Sequence, residues 1–229
     1  MGAGVPARIG FGLGAATACA CGHIGFSPGE PGGDASACSL MSFAYPPLSS
    51  LVDEFAGTSL DAPWFLPNGD NCVAQASGSL VATPPANADN YCIAYAQGDW
   101  HLTCDSLTFE LPQVTSPVLG VQTVLYLDSG SSDHVLDIIL EAGGLQWSGS
   151  TNLGTYDAVA ERWWRLRELD GTLYFETSPD GTTFATRGSM PDPGSLDDVH
   201  PDIGAGTYKN VASPGAAAFR CFNSAPPCQ

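Results

Sequence analysis

Residues 161–188 read ERWWRLRELDGTLYFETSPDGTTFATRG, and this stretch decides the fold class. Arg162 to Leu169 alternates its side chains with a period of two, the pattern of a half-buried strand. Asp170-Gly171 follows as a hairpin signal, because both central positions of a type I′ turn need positive φ. Thr172 to Thr177 returns, Pro179-Asp180-Gly181 turns the chain again, and Thr182 to Arg187 makes a third strand. The whole stretch is a β-meander.

Strand and turn signals continue on both sides of it. Residues 103–111 place Leu107, Phe109 and Leu111 on one face and Ser106, Thr108 and Glu110 on the other, with Pro112 ending the strand. Residues 119–127 are apolar on both faces, which predicts a central strand. Asp128 to Asp133 is a loop. His134 to Glu141 is a strand with Leu136, Ile138 and Leu140 facing in, and Gly143-Gly144 turns the chain into Leu145-Gln146-Trp147. Ala216 to Phe222 is the terminal strand. No window of a dozen residues combines a 3.6-residue period with caps. About ten to thirteen short strands over residues 51–223 predict an all-β sandwich or barrel.

Composition agrees. Gly 27 and Pro 18, in 229 residues, would break helices repeatedly, and 44% hydrophobic residues argue against disorder. Seven Lys+Arg against 24 Asp+Glu leave a net charge of −17, which excludes nucleic acid and anionic membranes as partners.

The eight cysteines form no Cys-x-x-Cys and show no zinc spacing. Cys19 and Cys21 stand too close for an unstrained bridge and mark a lipidation site at the end of a leader, residues 1–20. That leader's apolar run is too short for a transmembrane span. Residues 21–48 read as a flexible tether, and 49–229 as the sandwich. The remaining six cysteines suit three disulfides in an oxidising compartment. Fifteen pairings are open. The preferred set is Cys72–Cys92 between neighbouring strands, with Cys104–Cys221 and Cys38–Cys228 tying the ends to the body. The location expected is extracellular or in the cell envelope, with a lipid anchor.

Leu51-Val52-Asp53-Glu54-Phe55, Gly57, Leu60-Asp61 and Trp64 resemble the opening of concanavalin A-like lectin/glucanase domains, in particular bacterial laminin-G-like members. Gly78 to Ala82 resembles their next strand. Trp164, Arg167, Gly171, Leu173-Tyr174-Phe175 and Ser178-Pro179-Asp180-Gly181 with Phe184 resemble their late meander. The resemblance covers residues 51–222. It implies a two-sheet jelly-roll β-sandwich in which Asp53–Phe55 lies beside Phe219–Phe222. Phe184 in place of the usual Trp and the extra cysteines depart from the pattern.

Laminarinase-type relatives carry E-x-D-x-x-E on one strand. The nearest string here has Val135, Asp137 and Glu141; the first Glu is missing, and Asp137 and Glu141 share a face roughly 13 Å apart. No catalytic residue is carried over, and the chain is expected not to be an enzyme. The histidines at 23, 101, 134 and 200 have no partner ordered by spacing. No cofactor is required. Calcium is the metal the acidic loops suit, through Asp70, Asp89, Asp128 and Asp133, and a zinc pair of His134 with Asp133 ranks below it. Trp163 shares a strand face with Arg165 and Arg167, an aromatic and two guanidinium forks suited to sugars. Trp100 and His101 form a second ligand candidate. These residues predict a non-catalytic module recognising an extracellular glycan or surface polymer. A structural or adhesive protein that binds other proteins is the second reading, and a divergent glycoside hydrolase the third.

Overall fold

The computed structural model describes residues 41–60, 62–66, 71–130, 132–147 and 151–228, with the side chains of 132–134 left out. Cys19, Cys21, Cys38, Asp70 and the leader of residues 1–20 lie outside the described residues. No helix among the described residues is long and apolar enough to cross a membrane.

Among the described residues, fourteen strands form two antiparallel sheets of seven. The first sheet runs Trp64–Phe65 (β1), Asn90–Ala96 (β4), Val199–Thr207 (β13), Val121–Ser129 (β6), Ser132–Glu141 (β7), Gly144–Trp147 (β8) and Thr151–Thr155 (β9). The second runs Ala185–Pro191 (β12), Thr172–Ser178 (β11), Trp163–Leu169 (β10), Ser106–Gln113 (β5), Ala217–Arg220 (β14), Ser79–Ala82 (β3) and Val73–Ala76 (β2). This is the concanavalin A-like jelly-roll sandwich. Its ends meet as the fold requires: Asp53 N–H donates to Phe222 O at 3.0 Å, and Phe222 N–H to Asp53 O at 2.8 Å.

The meander forms as β10–β11–β12, with Asp170 and Gly171 at φ 51° and 72°. Its third strand starts three residues later than expected. The Asp180 carboxylate accepts from the Thr182 and Thr183 N–H groups at 2.9 and 3.0 Å and extends the turn. Pro112 does not end β5. The β5–β14 ladder shifts register between Ala218 and Arg220, so a missing N–H is tolerated there.

Between the sheets, alternate residues interlock. Trp164 packs against Phe109 at 5.7 Å and Phe175 at 5.4 Å, and Phe109 against Phe219 and Phe222. Leu136, Ile138 and Leu140 face this core as their period indicated. The packed body takes in part of the expected tether: Leu48 is fully buried, and the Phe43 ring stacks on His101 at 3.8 Å.

Cys72 pairs with Cys92. The bond joins the edge of the second sheet to β4 of the first, rather than neighbours in one sheet. Cys221 pairs with Cys228, not with Cys104, because the tail after β14 turns back and brings the two Cα atoms to 5.6 Å. That pairing also rules out Cys38–Cys228. Cys104 is itself disulfide-bonded.

Candidate active site

The side chains on β4, β13, β6 and β7 that do not enter the core converge on the outer face of the first sheet. Leu125, Leu127, Leu136, Ile138, Ile203 and Ala205 face inward, so strand alternation turns Tyr126, Asp128, Asp137, His200 and Asp202 the other way. Register then aligns Phe65, Tyr95, Asp202, Tyr126 and Asp137 in one row across five strands. Four inter-strand steps of about 4.8 Å make the row roughly 19 Å long. Phe65, at the sheet edge, is 44% exposed. Beside the row, His200 stands opposite Asp128.

Asp202 is the unusual group. It is fully buried, and neither carboxylate oxygen has a hydrogen-bond partner. Burial first, and the Asp128 carboxylate second, push it up to about 8. One oxygen each of Asp128 and Asp202 and one ring nitrogen of His200 lie within 4.8 Å of one another. Burial, with Tyr91 and Asp137 nearby, also raises the Tyr126 hydroxyl. The face therefore offers a carboxylate, Asp137, on one side of Tyr126 and a carboxyl–imidazole cluster on the other.

A second row supports the floor. Gly206 lies between Tyr91 and Gln122, and the Tyr91 ring crosses the strand where a side chain is missing. Its hydroxyl donates to Gln122 Oε1 at 2.6 Å, and Gln122 Nε2 donates to Glu141 Oε2 at 3.3 Å. Burial works against ionisation of Glu141. Donors from Tyr208, the Gly120 N–H and Gln122 outweigh it and hold the carboxyl below its usual range. A Cβ at 206 would sit 2.1 Å from Tyr91 Cδ1. Gly206→Ala is therefore expected to destabilise the protein by about 1–3 kcal/mol, read as a lower urea midpoint.

The sequence-predicted ligand residues lie elsewhere. Trp163 is buried, at 4% exposure, beneath the turn at Gly181, whose Cβ position is 2.7 Å from the indole. The exposed reading of Trp163 is thereby corrected. Arg165 and Arg167 do share its face, on the second sheet, but both bind Glu176, Arg165 Nε at 2.7 Å and Arg167 Nη2 at 3.1 Å. They also lie over Phe184 and Tyr174. Trp100 and His101 are buried too: Trp100 bridges to Val199 in the core, and His101 Nδ1 lies 3.0 Å from Thr103 O. They form no ligand platform. Among the acidic-loop residues, Asp89 precedes the pair Asn90–Thr207 while Asp128 faces His200, at opposite ends of β13 and roughly 20 Å apart. Asp89 and Asp128 thus belong to separate acidic loops.

The Glu176 pair carries a pH dependence. Burial opposes its ionisation, but hydrogen bonds and charge from Arg167 and Arg165 prevail and lower it from its ordinary 4.5. A folded-state value below the unfolded one contributes stability that is present above the unfolded value and lost as pH falls through the folded one. Glu176→Gln is expected to lower the urea midpoint at pH 7 and to match the parent once the pH is well below 4. An equal difference at both pH values would contradict this.

Asp202 and His200 escaped sequence reading because Pro201 and the glycines at 204 and 206 argue against a central strand. Pairing of β13 with β4 begins only at Asp202, so Pro201 interrupts no ladder bond on that side. The available signal was the glycines themselves, since glycine inside a strand marks a close approach.

No protein family's sequence profile matches the chain. No curated protein matches it. Solved structures do. An endo-acting O-glycanase of the human gut microbiota, described as initiating mucin breakdown, is 12% identical, with 79% of this chain and 97% of that one covered at a TM-score of 0.50. SCLam, a non-specific endo-β-1,3(4)-glucanase of family GH16, is 11% identical over 78% of this chain and 91% of its own, at 0.51. The catalytic domain of a Thermotoga petrophila laminarinase is 8% identical over 79% and 97%, also at 0.51. These matches support the concanavalin A-like fold and not the laminin-G-like label. They also correct the expectation of a non-catalytic, non-enzymatic module, since the neighbours of this fold are glycan-cleaving enzymes. Taken together, the seven-plus-seven topology and these matches establish the fold as the concanavalin A-like sandwich that glycanases use.

Proposed function

We propose that this chain is an exported glycoside hydrolase that cleaves inside a glycan chain, with its active site on the outer face of the first sheet. The observation that carries the reading is the five-strand row of Phe65, Tyr95, Asp202, Tyr126 and Asp137. Aromatic rings at intervals along a flat sheet suit stacking on sugar rings, and the exposed Phe65 sits where an extended chain would leave the sheet. Glycosidic cleavage needs one group that handles the leaving oxygen and another that activates water or takes the developing charge. Asp137 and the Asp128–His200–Asp202 cluster stand on opposite sides of Tyr126, which leaves a bound sugar between them. Endo-glycanases among the fold's neighbours support the same class. The disulfides Cys72–Cys92 and Cys221–Cys228 support a location outside the reducing cytoplasm.

The test is release of new reducing ends by the purified, oxidised chain from mucin O-glycans, laminarin and mixed-linkage β-glucan. Cleavage of one of them into oligosaccharides is the expected result. No product from any of them, with a protein shown to be folded, would sink the proposal.

A further inference from the structure

We propose that Asp128, His200 and Asp202 form a binding site for one divalent transition-metal ion, zinc being the best fit. The inference goes beyond the glycan-cleaving reading and does not depend on it. Three donor atoms already lie within 4.8 Å of one another. Donors to one zinc ion at about 2.0–2.2 Å lie up to roughly 4 Å apart, so small side-chain movements close the set. The ligands come from two neighbouring hydrogen-bonded strands, His200 opposite Asp128 and Asp202 two residues further along the same face. Strands hold such a set more rigidly than the acidic loops could.

Asp202 supplies the independent observation. It is fully buried with both oxygens lacking a hydrogen-bond partner, and it points into the cluster. A buried carboxylate in that condition is costly unless a cation or proton compensates it. No arginine serves. The five described arginines pair with Glu110, Glu161 and Glu176. The imidazole chooses the metal: calcium takes all-oxygen sets, whereas mixed His and carboxylate sets suit zinc and its first-row neighbours. Three protein ligands leave a position open to water, as catalytic rather than structural zinc sites do.

The test uses the full chain, disulfides intact, stripped with chelator and titrated calorimetrically with zinc chloride alone. One equivalent bound at micromolar Kd or tighter is expected, with His200→Ala weakening binding at least a hundredfold. Cobalt(II) added to the unmutated protein is expected to give visible bands of a low-coordinate nitrogen–oxygen site, so the assignment survives a variant that fails to fold. Absence of zinc binding, zinc binding unchanged in a folded His200→Ala variant, or preference for calcium over zinc would each overturn it.

Discussion

Asp137→Asn is expected to lower kcat on the cleaved polysaccharide by about a hundred- to ten-thousand-fold, with KM little changed. Asp137 sits on β7, directly across from Tyr126, with Leu136 and Ile138 on either side anchored in the core. The backbone at 137 is thus fixed by burial of its neighbours, and Asn keeps the shape while removing the charge. The change should leave the thermal midpoint close to that of the parent, which separates lost chemistry from lost fold. Activity within threefold of the parent would show that the reacting groups lie elsewhere on the sheet. A loss mainly in KM would make Asp137 a binding group.

Trp164→Ala carries the largest expected effect on stability, about 3–5 kcal/mol. Trp164 is 1% exposed and meets Phe109 and Phe175 from its own sheet and Tyr156 from the loop beyond β9. Phe109 and Phe175 sit on separate strands, each held in its own ladder, so they cannot collapse into the void. Cavity formation then adds to the lost transfer energy. Urea unfolding followed by fluorescence or circular dichroism reads the difference. A loss below 1 kcal/mol would mean that the aromatic cluster repacks freely.

The adjacent residue shows how far a strand pattern can be read. Period-two alternation placed Trp163 and Trp164 on opposite faces, and they are. It could not say that the Gly181 turn folds over Trp163, because that contact depends on how the β11–β12 turn is shaped by the Asp180 hydrogen bonds. The same limit applies to Arg165 and Arg167. Their shared face was legible, but not their capture by Glu176 on the next strand. For the candidate site, Asp137 and Asp128 were visible as carboxylates on or beside strands, while their relation to each other was not. His200 and Asp202 were hidden in a segment whose proline and glycines masked its strand character.

By itself the sequence determined the all-β class, the hairpin at Asp170-Gly171, the core-facing set of Leu107, Phe109 and Leu111, and the closeness of Asp53–Phe55 to Phe219–Phe222. Those features follow from side-chain period and turn chemistry, which act between near neighbours in the chain, or from a resemblance that spans the whole domain. Only the tertiary structure decided that β13 enters between β4 and β6, that Asp202 meets Tyr126, and that Cys221 takes Cys228. Ladder register between distant segments is selected by burial of one face of each strand across the whole sheet. No local stretch of residues carries that information.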